Sequence, residues 1–285
     1  MATRASAAAP AFDPSNGRIE AALSLRAQGR LEEALAILPD SRPFSQDECV
    51  LRGDLHLELG QLQKAIESYS AAVSVEPGNV YARQNLALCL RGLNRWAQAA
   101  GAFRSLLEQD SHRDNARIGL GECLLRLNRA EEAVACFDSC WTEAARVPAL
   151  FGKAVAFQLL HRFEDAEAAY LRLLEMGTNT AEVLSNLVTL SVGMADHDRV
   201  RRYSQQLSEA SPQSLIALQG LAVSALESGS DEDAALHFSR LITLARDGEP
   251  PRSNGSGPSI EHRLSDEAAA RLDRVRRQVI DQGGV

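Results

Sequence analysis

The chain is expected to fold as an all-α superhelical solenoid of antiparallel helix pairs with a concave side. Three observations carry this expectation. Alanine and leucine dominate while aromatic residues make up only 5%, a balance suited to closely packed helices rather than to strands, which favour β-branched and aromatic side chains. Apolar residues recur at helical spacing in paired stretches separated by turns such as LGQ, LNR, LHR and SGS, which reads as helix, turn, helix. The whole pattern then recurs along the chain, and a short repeat of this kind takes precedence over any division into ordinary domains.

Seven units start at residues 15, 46, 80, 114, 147, 181 and 215 and together run from 15 to 248. The unit from 15 matches at Ala22, Leu25, Gly29, Ala34 and Leu38 and then degenerates. That from 46 supplies Gly53, Gly60, Ala65, Tyr69, Ala72 and Pro77. The next three carry Ala87, Asn94, Ala99 and Phe103, then Gly121, Asn128, Ala133 and Phe137, then Ala154, Ala166 and Tyr170. The unit from 181 diverges, with Val200 and Ser204 where an alanine and an aromatic belong, and that from 215 recovers Ala222, Gly229, Ala234 and Phe238. Small residues such as Gly53, Ala87, Gly121, Ala154 and Ala222 mark places where a neighbouring helix comes close and a larger side chain would overpack. The aromatics fill the space between one pair and the next. A single pair cannot bury its own apolar face, so stacking must supply the core.

This pattern resembles the tetratricopeptide repeat family over residues 15–248. The departures are the divergent sixth unit and the absence of the family's tryptophan near the start of each first helix, where Arg18, Arg83 and Arg117 stand. There the packing is expected to rely on arginine stems. The resemblance implies a right-handed superhelix and a protein-binding scaffold whose first helices line a groove. Carried over position by position, it points to Asp54, Tyr81, Gln84, Asn85, Arg91, Asn115, Glu122, Arg126, Phe151, Gln158, Ser185, Asn186 and Gln219 as peptide-binding residues. Tyr81 and Phe151 would be the aromatic anchors. Asn85 and Asn186 would pair with a peptide backbone, since an amide both donates and accepts. Gly119, Gly152 and Gly220 hold the corresponding place in other units, so no continuous asparagine ladder is present. The family's two-carboxylate clamp, which grips acidic chaperone tails, lacks four of its five residues around Asn85. Arg91 and Arg126 could still attract an acidic segment, with Asp54 and Glu122 offsetting them.

Charge and motifs narrow the alternatives. With 38 acidic and 30 basic side chains the net charge is −8, opposite to the basic footprint of a nucleic-acid binder. The related pentatricopeptide proteins, which read RNA, have a longer repeat. No phosphate-binding glycine loop, zincin, nucleophile-elbow or CxxC signature occurs, and neither catalytic residues nor a cofactor are expected. Cys136 and Cys140 lie four apart on a helix, but they and the equivalent pair Cys89 and Cys123 read as small core residues. Asp196, His197 and Asp198 fall in an interhelical turn and provide no preorganised metal-ligand set. Five cysteines, an odd number in a chain of this size, favour a reducing compartment and so the cytoplasm. No apolar run reaches membrane-spanning length. Only Lys64 and Lys153 are lysines, a skew towards arginine that suggests a bacterial coding sequence.

Outside the array, residues 1–14 read as a disordered tail and 249–258, rich in Gly, Pro and Ser, as a flexible linker. Residues 259–285 hold a last helix, capped by Ser265, with Ala268, Leu272, Val275 and Val279 on one stripe. It would either close the apolar end of the solenoid or bind a partner. The competing function is therefore an accessory subunit of an enzyme, secretion or envelope-assembly complex that uses the convex face and this helix. Nothing in the sequence specifies the oligomeric state.

Overall fold

A computed structural model describes residues 14–38, 45–178, 180–247 and 264–283. The tail expected at 1–14, apart from residue 14, and the linker expected at 249–258 lie outside the described residues. Among the described residues there are fifteen helices and no strand. In chain order α1 (Pro14–Ala27) precedes α2 (Leu31–Ile37), α3 (Gln46–Glu58) precedes α4 (Leu62–Val75), α5 (Val80–Gly92) precedes α6 (Trp96–Gln109) and α7 (Asp114–Arg126) precedes α8 (Ala130–Asp138). They are followed by α9 (Glu143–Leu159), α10 (Phe163–Glu175), α11 (Thr180–Gly193), α12 (His197–Ala210), α13 (Leu215–Ser228), α14 (Asp231–Asp247) and α15 (Asp266–Gly283). The chain divides into two compact units, Met1–Ala145 and Arg146–Val285, the division falling inside α9.

Each unit is built from helix pairs laid on one another. In the first, α1 packs on α2, α3 on α4, α5 on α6 and α7 on α8, and α4 and α6 then pack on the first helix of the following pair. In the second, α11 packs on α12 and α13 on α14, with α10 against α11 and α12 against α13. No helix among the described residues is long and apolar enough to cross a membrane.

The turn inside every pair has the same backbone. Gly29, Gly60, Asn94, Asn128, His161, Ala195 and Gly229 all have positive φ, between 55° and 83°. In each the following amide donates to the carbonyl five residues back: Gln61 to His56 at 2.8 Å, Arg129 to Leu124 at 2.9 Å and Asp196 to Ser191 at 3.1 Å. This is the Schellman ending, in which a left-handed residue turns the chain and satisfies the last carbonyls of the first helix. Glycine and asparagine tolerate that conformation, whereas Ala195 holds it against its own Cβ. The second helix then starts at once, which makes the pair a tight hairpin.

Close approach inside the pairs falls on glycine. A methyl group at Gly53 would lie 2.5 Å from the Tyr69 ring, and one at Gly121 would lie 2.6 Å from the Phe137 ring. Tyr69, Phe103, Phe137 and Tyr170 are all buried. In the divergent sixth unit the ring is supplied one residue early: Tyr203 is buried, and its hydroxyl donates to Glu167 on α10 at 2.5 Å. Ser204, at the usual aromatic place, instead lies against Gly220, where a Cβ would meet its hydroxyl at 2.1 Å.

The three arginines standing for tryptophan make polar ties. Arg18 grips the buried Glu48 carboxylate at 2.8 Å, and Glu48 also closes a capping box with Ser45. Arg83 and Arg117 donate to the carbonyls of Pro77 and Ser111, each six residues back in the preceding turn. These bonds fix the entry of α5 and α7. At the other end of the chain, α15 lays Ala268, Leu272, Val275 and Val279 against Ala225, Leu226, Ala234 and Ala235 of α13 and α14. Glu227 accepts from both the backbone amide and the hydroxyl of Ser265 at 2.8 Å, anchoring the start of that helix.

Two substitutions test this packing by urea denaturation. Gly53→Ala is expected to destabilise by about 1–3 kcal/mol through overpacking against a ring that cannot swing away. Ala195→Gly is expected to stabilise by about 0.5–1 kcal/mol by relieving the left-handed strain.

Candidate peptide-binding face

The constraint at Gly53 places the next residue. Because the Tyr69 ring packs against α3 at Gly53, its hydroxyl reaches Asp54 and donates to Oδ1 at 2.6 Å. Tyr81, in the first turn of α5, donates to the same oxygen at 3.0 Å. Arg26 of α1 approaches Oδ2 at 3.4 Å and holds Glu58 through Nε at 2.8 Å and Nη2 at 2.5 Å. One carboxylate thus ties the first helices of three successive pairs. Burial, with Asp54 close by, pushes both tyrosine hydroxyls above their ordinary range, so they remain neutral donors. Asn85, one turn after Tyr81, also donates towards that phenol. The Tyr81 ring itself is 53% exposed, so its hydroxyl is fixed while its face is open.

Beyond Tyr81, a cleft of about 350 Å³ is lined by Gln84 and Leu88 of α5, Phe103 and Leu106 of α6, the start of α7, and Thr142 and Ala144. Among the described residues the Gln84 and Asn115 amides at its rim have no hydrogen-bond partner. Arg91 is paired with Glu122 of α7, and Arg126 lies over the Trp96 ring at 5.6 Å. The two groove arginines are therefore already engaged within the chain. At the inner wall the Asp114 carboxylate is buried and accepts from the Trp141 amide at 3.1 Å, the Thr142 amide at 2.8 Å and Arg117 at 2.7 Å. Burial alone would raise its pKa. The hydrogen bonds from Thr142, Trp141 and Arg117 outweigh it and hold the group at about 2.

In the second unit the sequence-derived residues are differently placed. Phe151 packs edge-on to Tyr170, with centroids 6.0 Å apart, and against that unit's core. Gln158 accepts from the Tyr170 hydroxyl at 3.4 Å. Ser185 and Asn186 donate to the carbonyls of Ala181 and Glu182 on their own helix at 2.7 and 3.0 Å. Gln219 is exposed. Glycine at the place of Asn85 also has a physical reason: a Cβ at Gly119 would stand 2.5 Å from the Phe103 ring.

Two residues at the cleft escaped the sequence reading. Leu88 holds the ninth place of its repeat, as Asp54 and Glu122 do, and was passed over because it is apolar. Trp141, 66% exposed and edge-on to His112 at 5.9 Å, lies in a turn where the repeat register gives no guidance. Three of the five cysteines are core thiols, whereas Cys136 and Cys140, expected in the core, are half-buried. Cys89 and Cys123 are buried, and burial pushes the Cys123 thiol up to about 11. Asp196 caps α12 by accepting from the Arg199 amide at 2.9 Å.

Comparison with known proteins gives a consistent family. Two descriptions of the tetratricopeptide repeat match residues 50–114 and 90–141, and that of the coatomer epsilon subunit matches 128–224. Human tetratricopeptide repeat protein 7A is 30% identical over 135 residues, 46% of this chain and 16% of that protein, and 7B is 28% identical over 125 residues, 43% and 15%. The chain thus spans about a sixth of the length of these curated relatives. Among solved structures, a tetratricopeptide repeat protein from Parabacteroides merdae ATCC 43184 has a TM-score of 0.62 at 18% identity, covering 90% of this chain and 98% of that one. PilW, a type IV pilus biogenesis factor, has 0.55 at 17%, covering 92% and 100%. PilF from Pseudomonas aeruginosa has 0.53 at 20%, covering 71% and 94%. At these identities the likeness is one of fold.

Asp114 yields a test of the cleft wall. Its folded pKa lies below the unfolded value, so its contribution, about 2 kcal/mol for a shift of nearly two units, is complete above about pH 4 and is lost as pH falls towards 2. In acid titrations followed by circular dichroism, Asp114→Ala is expected to be less stable at pH 7 and to lack this acid-side loss.

Proposed function

The chain belongs to the tetratricopeptide repeat family, and from that premise we infer that it is a non-catalytic adaptor whose first unit holds a segment of another protein against α3, α5 and α7. The observation that carries this reading is Tyr81: an open aromatic face whose hydroxyl is tethered to Asp54, itself held by Tyr69 and Arg26. A ring already fixed in place loses little conformational entropy when a partner covers it, and such aromatic anchors dominate interface energies. Gln84, Asn85 and Asn115 surround it with amides able to meet a peptide backbone. Phe151 and Asn186, committed to Tyr170 and to Glu182, contribute less in this reading.

The competing reading, an accessory subunit of a secretion or envelope-assembly complex engaged through α15, draws on the fold shared with PilW and PilF. The apolar stripe of α15 is already covered by α13 and α14, which favours the first-helix face.

The test is affinity for peptides selected on the full chain from a random phage library. Tyr81→Ala is expected to weaken them at least tenfold, on the order of 1.4 kcal/mol or more, with helicity unchanged and melting lowered only by the loss of one hydrogen bond to Asp54. Unaltered affinity would remove Tyr81 from the site.

A further inference from the structure

Resting on the groove reading just given, we infer that the segment bound is electrically neutral and places one bulky apolar side chain in the cleft beside Leu88. The ionised groups around this face cancel. Arg26, Arg91 and Arg126 stand against Asp54, Glu58 and Glu122, and five of the six lie within ion-pair distance of an opposite charge on a neighbouring first helix. The sixth, Arg126, is stacked over Trp96. Inside the cleft the Asp114 carboxylate is saturated by two backbone amides and Arg117, and Arg113 lies 3.2 Å from Asp110. Paired charges of this kind project little field beyond a few ångströms. A charged side chain entering here would lose water and find no free countercharge, which is unfavourable.

What the face offers instead is apolar surface. Leu88 is 37% exposed at the mouth of the cleft, with the Phe103 and Leu106 side chains forming its floor. At about 350 Å³ the space is at the low end for ligand pockets, roughly 300–1,000 Å³, and suits one inserted side chain rather than a folded element. Tyr81 stands on one side, and His112, edge-on to the exposed Trp141, on the other. Leu23 and Leu57, each three residues from a member of the Arg26 and Asp54 cluster, extend the exposed apolar surface onto α1 and α3. The uncommitted amides of Gln84 and Asn115 supply directional pairing without charge, so selectivity comes from shape and apolar burial.

A random dodecamer phage library selected on the full chain, followed by titration of the enriched peptides in 50 and 500 mM NaCl, tests this. The expected result is peptides of zero net charge sharing one Leu, Ile, Met or Phe, with affinity changing less than twofold between the two salts and at least tenfold weaker binding to Leu88→Asp. Leu88→Ala, which adds no charge, should weaken binding by a smaller factor. Enrichment of acidic or basic peptides whose affinity collapses in high salt, yet is lost in Tyr81→Ala, would overturn neutrality while leaving the groove reading standing. Peptides indifferent to both Leu88→Asp and Tyr81→Ala, or a selection that enriches nothing, would overturn both.

Discussion

The fold depends on rings lying where a helix has no side chain. Tyr69 rests on Gly53 and Phe137 on Gly121 within pairs, and Phe103 rests on Gly119 of the next pair. Each contact brings two helices closer than a Cβ allows, and each fixes the rotation of the helix that carries the glycine. That rotation decides which residues of α3 and α7 turn outward. At Gly53 the effect is direct: the same ring that packs on the glycine delivers its hydroxyl to Asp54, and Asp54 then holds Tyr81. Packing and the candidate site are one arrangement seen from two sides.

Much of this could be read from the residues alone. The all-α class, the repeat and the small residues at close crossings follow from periodicity, and the turns inside the pairs were visible, with glycine or asparagine marking the left-handed residue in five of them. His161 and Ala195 occupy the same conformation without such a marker, because the Schellman hydrogen bonds and the packing of the pair outweigh local preference. Tyr203 was missed for a related reason. The ring moved one residue along the helix, and Ser204 took the close contact with Gly220, so a fixed register pointed at the wrong side chain. The arginines in the tryptophan place were expected to pack through their stems, and the structure instead shows them bonding to Glu48 and to turn carbonyls.

The site was less legible than the fold. Register identifies residues that face one way, but it does not say whether their polar atoms are already engaged. Glu122 was expected to offset the groove arginines in part, yet the register did not show that it pairs directly with Arg91 across neighbouring helices. Asn186 has the same repeat position as Asn85 and bonds to its own helix. Leu88 was passed over because it is an aliphatic residue at a groove position, and Trp141 because it lies in a turn that the repeat register does not describe. The face that results is nearly neutral despite a net chain charge of −8, a total that describes the whole surface and not this part of it.

The central claim is that a partner segment lies on the first helices of the first unit, over Tyr81 and the cleft beside Leu88. Site-resolved photo-cross-linking measures this most directly, with a benzophenone side chain placed in a selected peptide and the adducts mapped by mass spectrometry on the full chain. The account predicts adducts on α5 and α7, concentrated between residues 81 and 88 and between 112 and 118. Adducts confined to the second helices α4 and α6, or to α15, would contradict it.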